Sequence, residues 1–466
     1  MDTYDLVVVG AGSAGITAAV TGAGFGKRVL LVDRSRPGGE CTWSGCVPSK
    51  ALIHEAARVK TARELVPELE YDSAAALAHV HRVRETVYSH EDPDALAKSG
   101  IEFLQGAARF VDSRTLQVGE QVVRSKRFLV CTGSSPFVPP ITGLAGVPYL
   151  TNESVFELDR LPESMIVLGG GPIGVELAQA LERLGTHVDL VEMMPTLLPR
   201  EEPEFATEVQ EHLVSEGVSV YVGAKATAVS GAGGRFTLTF ERDGGEQSVS
   251  ANGLLVAIGR TPNTEGLGLD AAGVAVERGG VVVDRAMRTS ARGIYAAGDV
   301  VGPYRFSHMA NAQAIKATQN AILPIRRRVS YDHVAWVTFT KPELARAGMT
   351  EQEARERHGD SIRVYRVDMN ELDRTRTGGP SRGRVKLVLD RRGRVLGATI
   401  LAERAGEMIG EVQTIKTLGV RFSKLAGVIH PYPTYAEVFQ KIGKRVLIDG
   451  VLQHPIVRLF RGGGSS

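Results

Sequence analysis

Two stretches of this chain follow one grammar, and that grammar limits the fold more than any other feature. "DLVVVGAGSAGITAAVTGAGFGKRVLLVDR" reads strand, glycine turn, helix, strand, with Val7, Val8 and Val9 as a buried strand. Gly10, Gly12 and Gly15 make a G-x-G-x-x-G turn, and the second strand ends in Asp33. Such glycines let a backbone approach a pyrophosphate at a helix N-terminus, and the terminal acid can accept hydrogen bonds from a ribose. The motif alone is weak; strand before, helix after and an acid about 20 residues on make it specific. "MIVLGGGPIGVELAQALERLGTHVDLVE" repeats it with Gly169, Gly171, Gly174 and Glu192. The chain therefore predicts an α/β fold with two dinucleotide sites. Glu192 suits a free 2′-hydroxyl and repels a 2′-phosphate, which predicts NADH over NADPH unless a cation such as Arg200 compensates.

Three further segments end strands at polar turns: "FLVCTGSSP" (128–136), "LLVAIGRTPN" (254–263) and "GIYAAGDVVG" (293–302). The first two fit neither Rossmann unit on sequence alone. Asp299, at the end of the third, can hold polyol hydroxyls. Together they predict that the first nucleotide site closes again after the second has been inserted. The expected domains are 1–145 with 270–325, then 146–269, then 330–460, and a flexible tail at 461–466.

Composition excludes several classes. Lys+Arg 55 against Asp+Glu 53 gives no basic excess that asks for nucleic acid. No apolar run reaches the ~18 residues of a membrane span, and the start lacks the basic region of a secretory signal. A cytoplasmic protein is expected. Three cysteines in 466 residues do not make a disulfide scaffold.

Two of those cysteines carry chemistry. Cys41 and Cys46 in "GGECTWSGCVPSKALIHEAARV" are spaced C-x4-C. Zinc needs four ligands and only Cys131 remains as a thiol, so no metal site is expected. Two inert buried cysteines are the bland alternative; a redox disulfide fits better. Pro48 favours a helix start, which puts Cys46 at the N-terminus of a helix carrying Lys50 four residues on. A helix N-terminus and an ammonium both stabilise a thiolate. Cys41, before the turn, is expected to be the freer sulfur.

The chain resembles, over about its full length, the flavin-dependent pyridine nucleotide–disulfide oxidoreductases. That family includes dihydrolipoamide dehydrogenase, glutathione reductase and mercuric ion reductase. The carriers are Gly10–Gly15, the C-x4-C-V-P-S-K block, Gly169–Gly174, "AIGRTPN" and "AAGDV", in the family's order. The resemblance implies two Rossmann-like domains and a C-terminal α+β dimerisation domain from about 330. It implies FAD on Gly10, Gly12, Gly15, Asp33, Lys50, Thr132, Gly133 and Asp299, and NADH on Gly169, Gly171, Gly174, Glu192 and Gly259. Cys46 matches the sulfur beside the flavin and Cys41 the thiol that meets the acceptor. Lys50 matches a lysine near the reactive flavin nitrogen. Glu176 matches its ion-pair partner, unless it is an ordinary helix-face acid. A homodimer is implied, because the C-terminal domain completes the partner's site.

One stretch departs from the disulfide reductases. "HPYPTYAE" (430–437) holds Tyr432 where they have a histidine before proline-threonine, with Glu437 still behind it. A phenol with pKa near ~10 is a poor neutral base beside an imidazole near ~6.5. Mercuric ion reductase also has tyrosine there, so the resemblance points to a soft metal ion or a related acceptor. Yet the cysteine pair those enzymes carry at the extreme C-terminus is missing, and Trp43 replaces an asparagine in the C-x4-C loop. Three readings follow: a mercuric-reductase-like enzyme, a dihydrolipoamide dehydrogenase using His430 or solvent as base, and a redox-sensing flavoprotein without rapid turnover. Tyr432 is expected to face the partner subunit's Cys41 as a hydroxyl; interface packing is the plainer alternative.

Overall fold

The computed structural model describes residues 3–379 and 383–452. The tail expected at 461–466 lies outside them. The chain forms two compact units, 1–195 with 216–330 and 196–215 with 331–466.

The first unit holds two parallel sheets. The first has strand order Ile294–Ala296, Phe128–Val130, Leu6–Val9, Val29–Asp33, Ile101–Gln105, every neighbour parallel. Leu6–Val9 is buried throughout, as a central parallel strand covered on both faces must be. Helix α1 (Ser13–Gly24) follows the first glycine turn. Then come α2 (Gly39–Trp43), α3 (Cys46–Leu65), α4 (Ser73–Tyr88) and α5 (Pro93–Lys98). The second sheet runs Ser219–Tyr221, His187–Val191, Ser164–Leu168, Gly253–Val256, again parallel. Helix α6 (Pro172–Arg183) follows its glycine turn. α7 (Pro203–Ser215) falls in the other unit, and α8 (Ser307–Ile322) packs on α1.

This corrects one expectation. The segments at 128–136 and 254–263 do belong to the Rossmann units: Phe128–Val130 pairs with Leu6–Val9, and Gly253–Val256 pairs with Ser164–Leu168. Each follows an inserted antiparallel meander, at 108–125 and 225–251. The meander separates the strand in sequence from the sheet it completes. Ile294–Ala296 returns to the first sheet beside Phe128–Val130.

The second unit centres on an antiparallel sheet, Ala335–Thr338, Glu343–Gly348, Val395–Ala402, Arg384–Leu389, Arg363–Asp368. Around it lie α9 (Glu351–His358), α10 (Asp373–Thr377), α11 (Ala405–Leu418) and α12 (Glu437–Leu452). Val412, Phe422, Phe439 and Ile442 share its core. The acidic start of the 196–215 segment is pinned to this sheet. Lys386, only 3% exposed, meets Glu202 and Glu351 at 3.0 Å each and also Glu204. A buried ammonium persists only when carboxylates surround it. No helix among the described residues is long and apolar enough to cross a membrane.

Candidate active site

The two glycine turns are built alike. Gly10 has φ +104°, and a Cβ there would sit 2.3 Å from the Cys131 carbonyl oxygen. Gly169 has φ +118°, with the Ala257 oxygen 2.6 Å away. Gly15 and Gly174 lie against the carbonyls of Gly10 and Gly169, at 1.7 and 1.9 Å from a built Cβ. Only glycine fits these four places. Gly12 and Gly171 cap α1 and α6 without any side-chain hydrogen bond. The first-turn N–H groups of both helices therefore have no capping side chain, which is what a phosphate requires.

The terminal acids hold these turns. Asp33 accepts from the N–H of Ala11 at 2.6 Å and of Ser35 at 2.8 Å. Glu192 accepts from the N–H of Gly170 at 2.5 Å and of Met194 at 2.6 Å. Asp299 accepts from the Ser134 hydroxyl at 2.7 Å. The Thr132 hydroxyl donates to the Asn263 carbonyl at 2.7 Å. Gly133 (φ +69°) and Gly259 (φ +143°) take backbone shapes that side chains resist, each with open space where a Cβ would point. Uncapped helix ends, Cβ-excluding turns and acids at the strand ends fit two dinucleotides.

The cysteines stand as free thiols. Cys46 opens α3, and its N-cap Gly45 carries no side-chain cap. By residue, Cys46 is exposed and Cys41 half-buried. Cys41 lies inside α2, which packs on α3 and α4. The hydrogen bond from Cys41, aided by Ser307 and Lys50 and opposed by burial, lowers the Cys46 thiol to about 6. The same contact, joined by burial, pushes Cys41 far up. The helix N-terminus, the Ser307 hydroxyl and Lys50 all favour negative charge on Cys46.

Lys50 Nζ meets Glu176 Oε2 at 2.8 Å, and the Glu176 side chain is 6% exposed. The family resemblance paired these two across 126 positions, and the structure brings them together. It also adds Glu40 and Arg260, which lie inside "GGECTWSGC" and "AIGRTPN" but carried no expected role. Burial raises the Glu40 carboxyl to about 7 against the pull of Arg260. Asn152 donates to Glu40 at 3.0 Å, and Arg260 pairs with Glu40 and reaches Asp299 at 3.9 Å. Trp43 donates its Nε1–H to the Pro37 carbonyl at 2.8 Å, under the Arg36 guanidinium 3.1 Å from its ring centroid and beside Tyr88.

The C-terminal motif lies in the other unit. Tyr432 is 69% exposed. Its hydroxyl donates to Asp373 Oδ2 at 2.9 Å, and that bond holds its pKa up. Asp373, at the start of α10, was not legible because it lies 59 positions away. Glu437 opens α12, and its buried Oε2 has no hydrogen-bond partner among the described residues. His430 Nε2 faces Glu411 Oε1 at 3.0 Å, with Nδ1 3.2 Å from the Val428 carbonyl.

Comparison with known proteins agrees with this geometry. The family model "Pyridine nucleotide-disulphide oxidoreductase" matches residues 4–322, and its dimerisation domain matches 334–442. A mercuric reductase of Streptomyces lividans is 35% identical over 451 residues, covering 94% of this chain and 95% of that protein. A dihydrolipoyl dehydrogenase of Thermus scotoductus is 35% identical over 458 residues, covering 94% and 96%. Among solved structures, the Cu(II) complex of the HOCl-induced flavoprotein disulfide reductase RclA from Escherichia coli has TM-score 0.86 and 30% identity. It covers 96% of this chain and 100% of that one.

Proposed function

The chain belongs to the pyridine nucleotide-disulphide oxidoreductase family, whose members use FAD and NAD(P)H, and within it we propose an NADH-dependent, mercuric-reductase-like enzyme. It would pass electrons through the Cys41–Cys46 pair to a thiophilic metal ion or a related acceptor. Residues 1–145 and 270–325 would hold FAD on the first turn, and 146–269 would hold NADH on the second. Residues 330–460 would form a homodimer interface. A cytoplasmic location is part of the same proposal.

FAD, when bound, would supply the two-electron chemistry that links the nicotinamide to the Cys41–Cys46 disulfide. The S–S bond then breaks. Cys46 keeps a thiolate and Cys41 takes one proton. Lys50, held by Glu176, supplies a fixed positive charge on the flavin side. Cys41 meets the acceptor; the acceptor leaves with two electrons, the disulfide re-forms and the proton of Cys41 is released.

The observation that carries the choice of acceptor is Tyr432. It occupies the place of the disulfide reductases' base, and its hydroxyl is committed to Asp373. A phenol whose proton is held by a carboxylate does not take a proton from a thiol at neutral pH. His430, the other candidate, faces oxygen with both ring nitrogens. The similarity to proteins named mercuric reductase and to a Cu(II) complex supports the metal reading. Similarity to dihydrolipoyl dehydrogenases over as much of the chain supports the runner-up.

NADH oxidation with Hg(II), Cu(II), lipoamide, glutathione disulfide and a quinone separates these readings. Hg(II) or Cu(II) should be turned over and the disulfides hardly at all. Tyr432→His should then raise turnover of lipoamide by ~10²-fold, the lower end of general acid–base catalysis. Tyr432→Phe should slow the metal acceptor while reduction by NADH stays fast. Lipoamide turnover at ~10 s⁻¹ or more by the unmodified enzyme, with Tyr432→His no faster, would give the runner-up its place. Slow reduction of every acceptor would favour the redox sensor.

A further inference from the structure

Ser307 Oγ lies 3.4 Å from Cys46 Sγ. No sequence motif marked it, because 261 positions separate it from Cys46. Ser307 is the first residue of the 16-residue α8, whose N-cap Phe306 offers no side-chain cap. Cys46 is the first residue of the 20-residue α3, capped by Gly45, again without a side-chain bond. The N-terminal ends of two long helices, each of which favours negative charge, therefore meet at one sulfur.

We propose that Ser307 is a positioning residue that keeps the single proton of the reduced pair on Cys41 by donating its hydroxyl to the Cys46 thiolate. This rests on the reading of Cys46 as the thiolate. The charges facing Cys46 show why a neutral donor matters. On α2 it has the Cys41 thiol as a helper and the Glu40 carboxyl as an opponent. On its own helix Lys50 helps, but that ammonium is already paired at 2.8 Å with Glu176 of α6, whose carboxylate opposes the thiolate. The first turn of α8 adds only one titratable side chain, His308, beside Ser307. Beside the Lys50 ammonium, which is shared with Glu176, the Ser307 hydroxyl is a direct neutral donor to the Cys46 sulfur. Hydrogen bonds to an ionised partner are the strong ones.

The test is a pH titration of the two-electron-reduced holoenzyme, followed by the long-wavelength absorbance that a thiolate lends to an adjacent oxidised flavin. Ser307→Ala should move the midpoint up by about one pH unit, a roughly tenfold smaller thiolate fraction below it. Ser307→Thr keeps the hydroxyl and should stay within about 0.3 unit of the unmodified enzyme, a small part of the one-unit step expected for a lost charged-group hydrogen bond. An unshifted Ser307→Ala overturns the proposal. So does a Ser307→Thr that moves as far as Ser307→Ala, since shape rather than the hydroxyl would then matter. Should Ser307→Ala bind flavin poorly, ultraviolet thiolate absorbance reads the same midpoint without it. An unmodified enzyme titrating at the ordinary thiol value of ~8.5 would instead remove the thiolate reading itself, a failure distinct from that of Ser307.

Discussion

The two glycine turns share their grammar and differ in what lies over them. Above the first, the chain folds back: the Gly38 N–H donates to the Ala11 carbonyl at 2.9 Å. A Cβ on Gly39 would stand 2.5 Å from Gly12 Cα. Above the second, Gly171 has nothing within 4 Å of a built Cβ, and Pro172 beside it is exposed. A roofed cradle suits a group that stays; an open one suits a group that comes and goes. Under the proposed assignment, one strand–turn–helix design would serve a resident cofactor and an exchanging one, the difference resting on a loop from outside the motif.

The largest effect that could break this comparison is at the turns themselves. Gly10→Ala should cost about 3 kcal/mol or more from backbone strain and overpacking. The protein should purify without flavin and melt several degrees lower, as absorbance and calorimetry would show. Gly169→Ala should leave the flavin in place yet abolish its reduction by NADH in stopped-flow. Equal flavin loss in both would mean that the turns are not specialised. Next in size is Gly39→Ala, which lifts the roof: flavin affinity should fall at least tenfold while the KM for NADH stays within about twofold, since a 1.4 kcal/mol loss is tenfold. The third contrast is Glu192→Arg. We expect kcat/KM to favour NADH over NADPH by about tenfold in the unmodified enzyme, and the substitution to reverse that. Identical kcat/KM for both would show that a cation outweighs Glu192. The smallest effect belongs to Gly171→Ala, whose methyl meets open space and whose extended backbone any residue can adopt. It should change the KM for NADH less than about threefold, a few tenths of a kcal/mol. A larger change would mean that the second cradle closes on its ligand.

What could be read in advance was local. Both turns, the C-x4-C pair and Asp299 announce themselves through glycine spacing and strand-end acids. Lys50 and Glu176 were paired only through the family resemblance. Ser307 and Asp373 escaped notice because each acts on a residue far off in the chain; Glu40 and Arg260 lie inside quoted motifs, but their pairing joins two distant ones. No spacing rule connects a serine at a helix start to a cysteine 261 positions earlier. The strands at 128–130 and 253–256 were visible as strands but not as members of their sheets, because a meander precedes each.

The ionic anchor at Lys386 has a consequence for synthesis. Glu202 leaves the ribosome 184 residues before the lysine that holds it. At typical translation speeds of 5–20 residues per second, that is a wait of roughly ten to forty seconds. Until then Glu202 and Glu204 are like charges without the ammonium that gathers them. The anchor is therefore made late on a growing chain, only after the C-terminal sheet has begun to emerge.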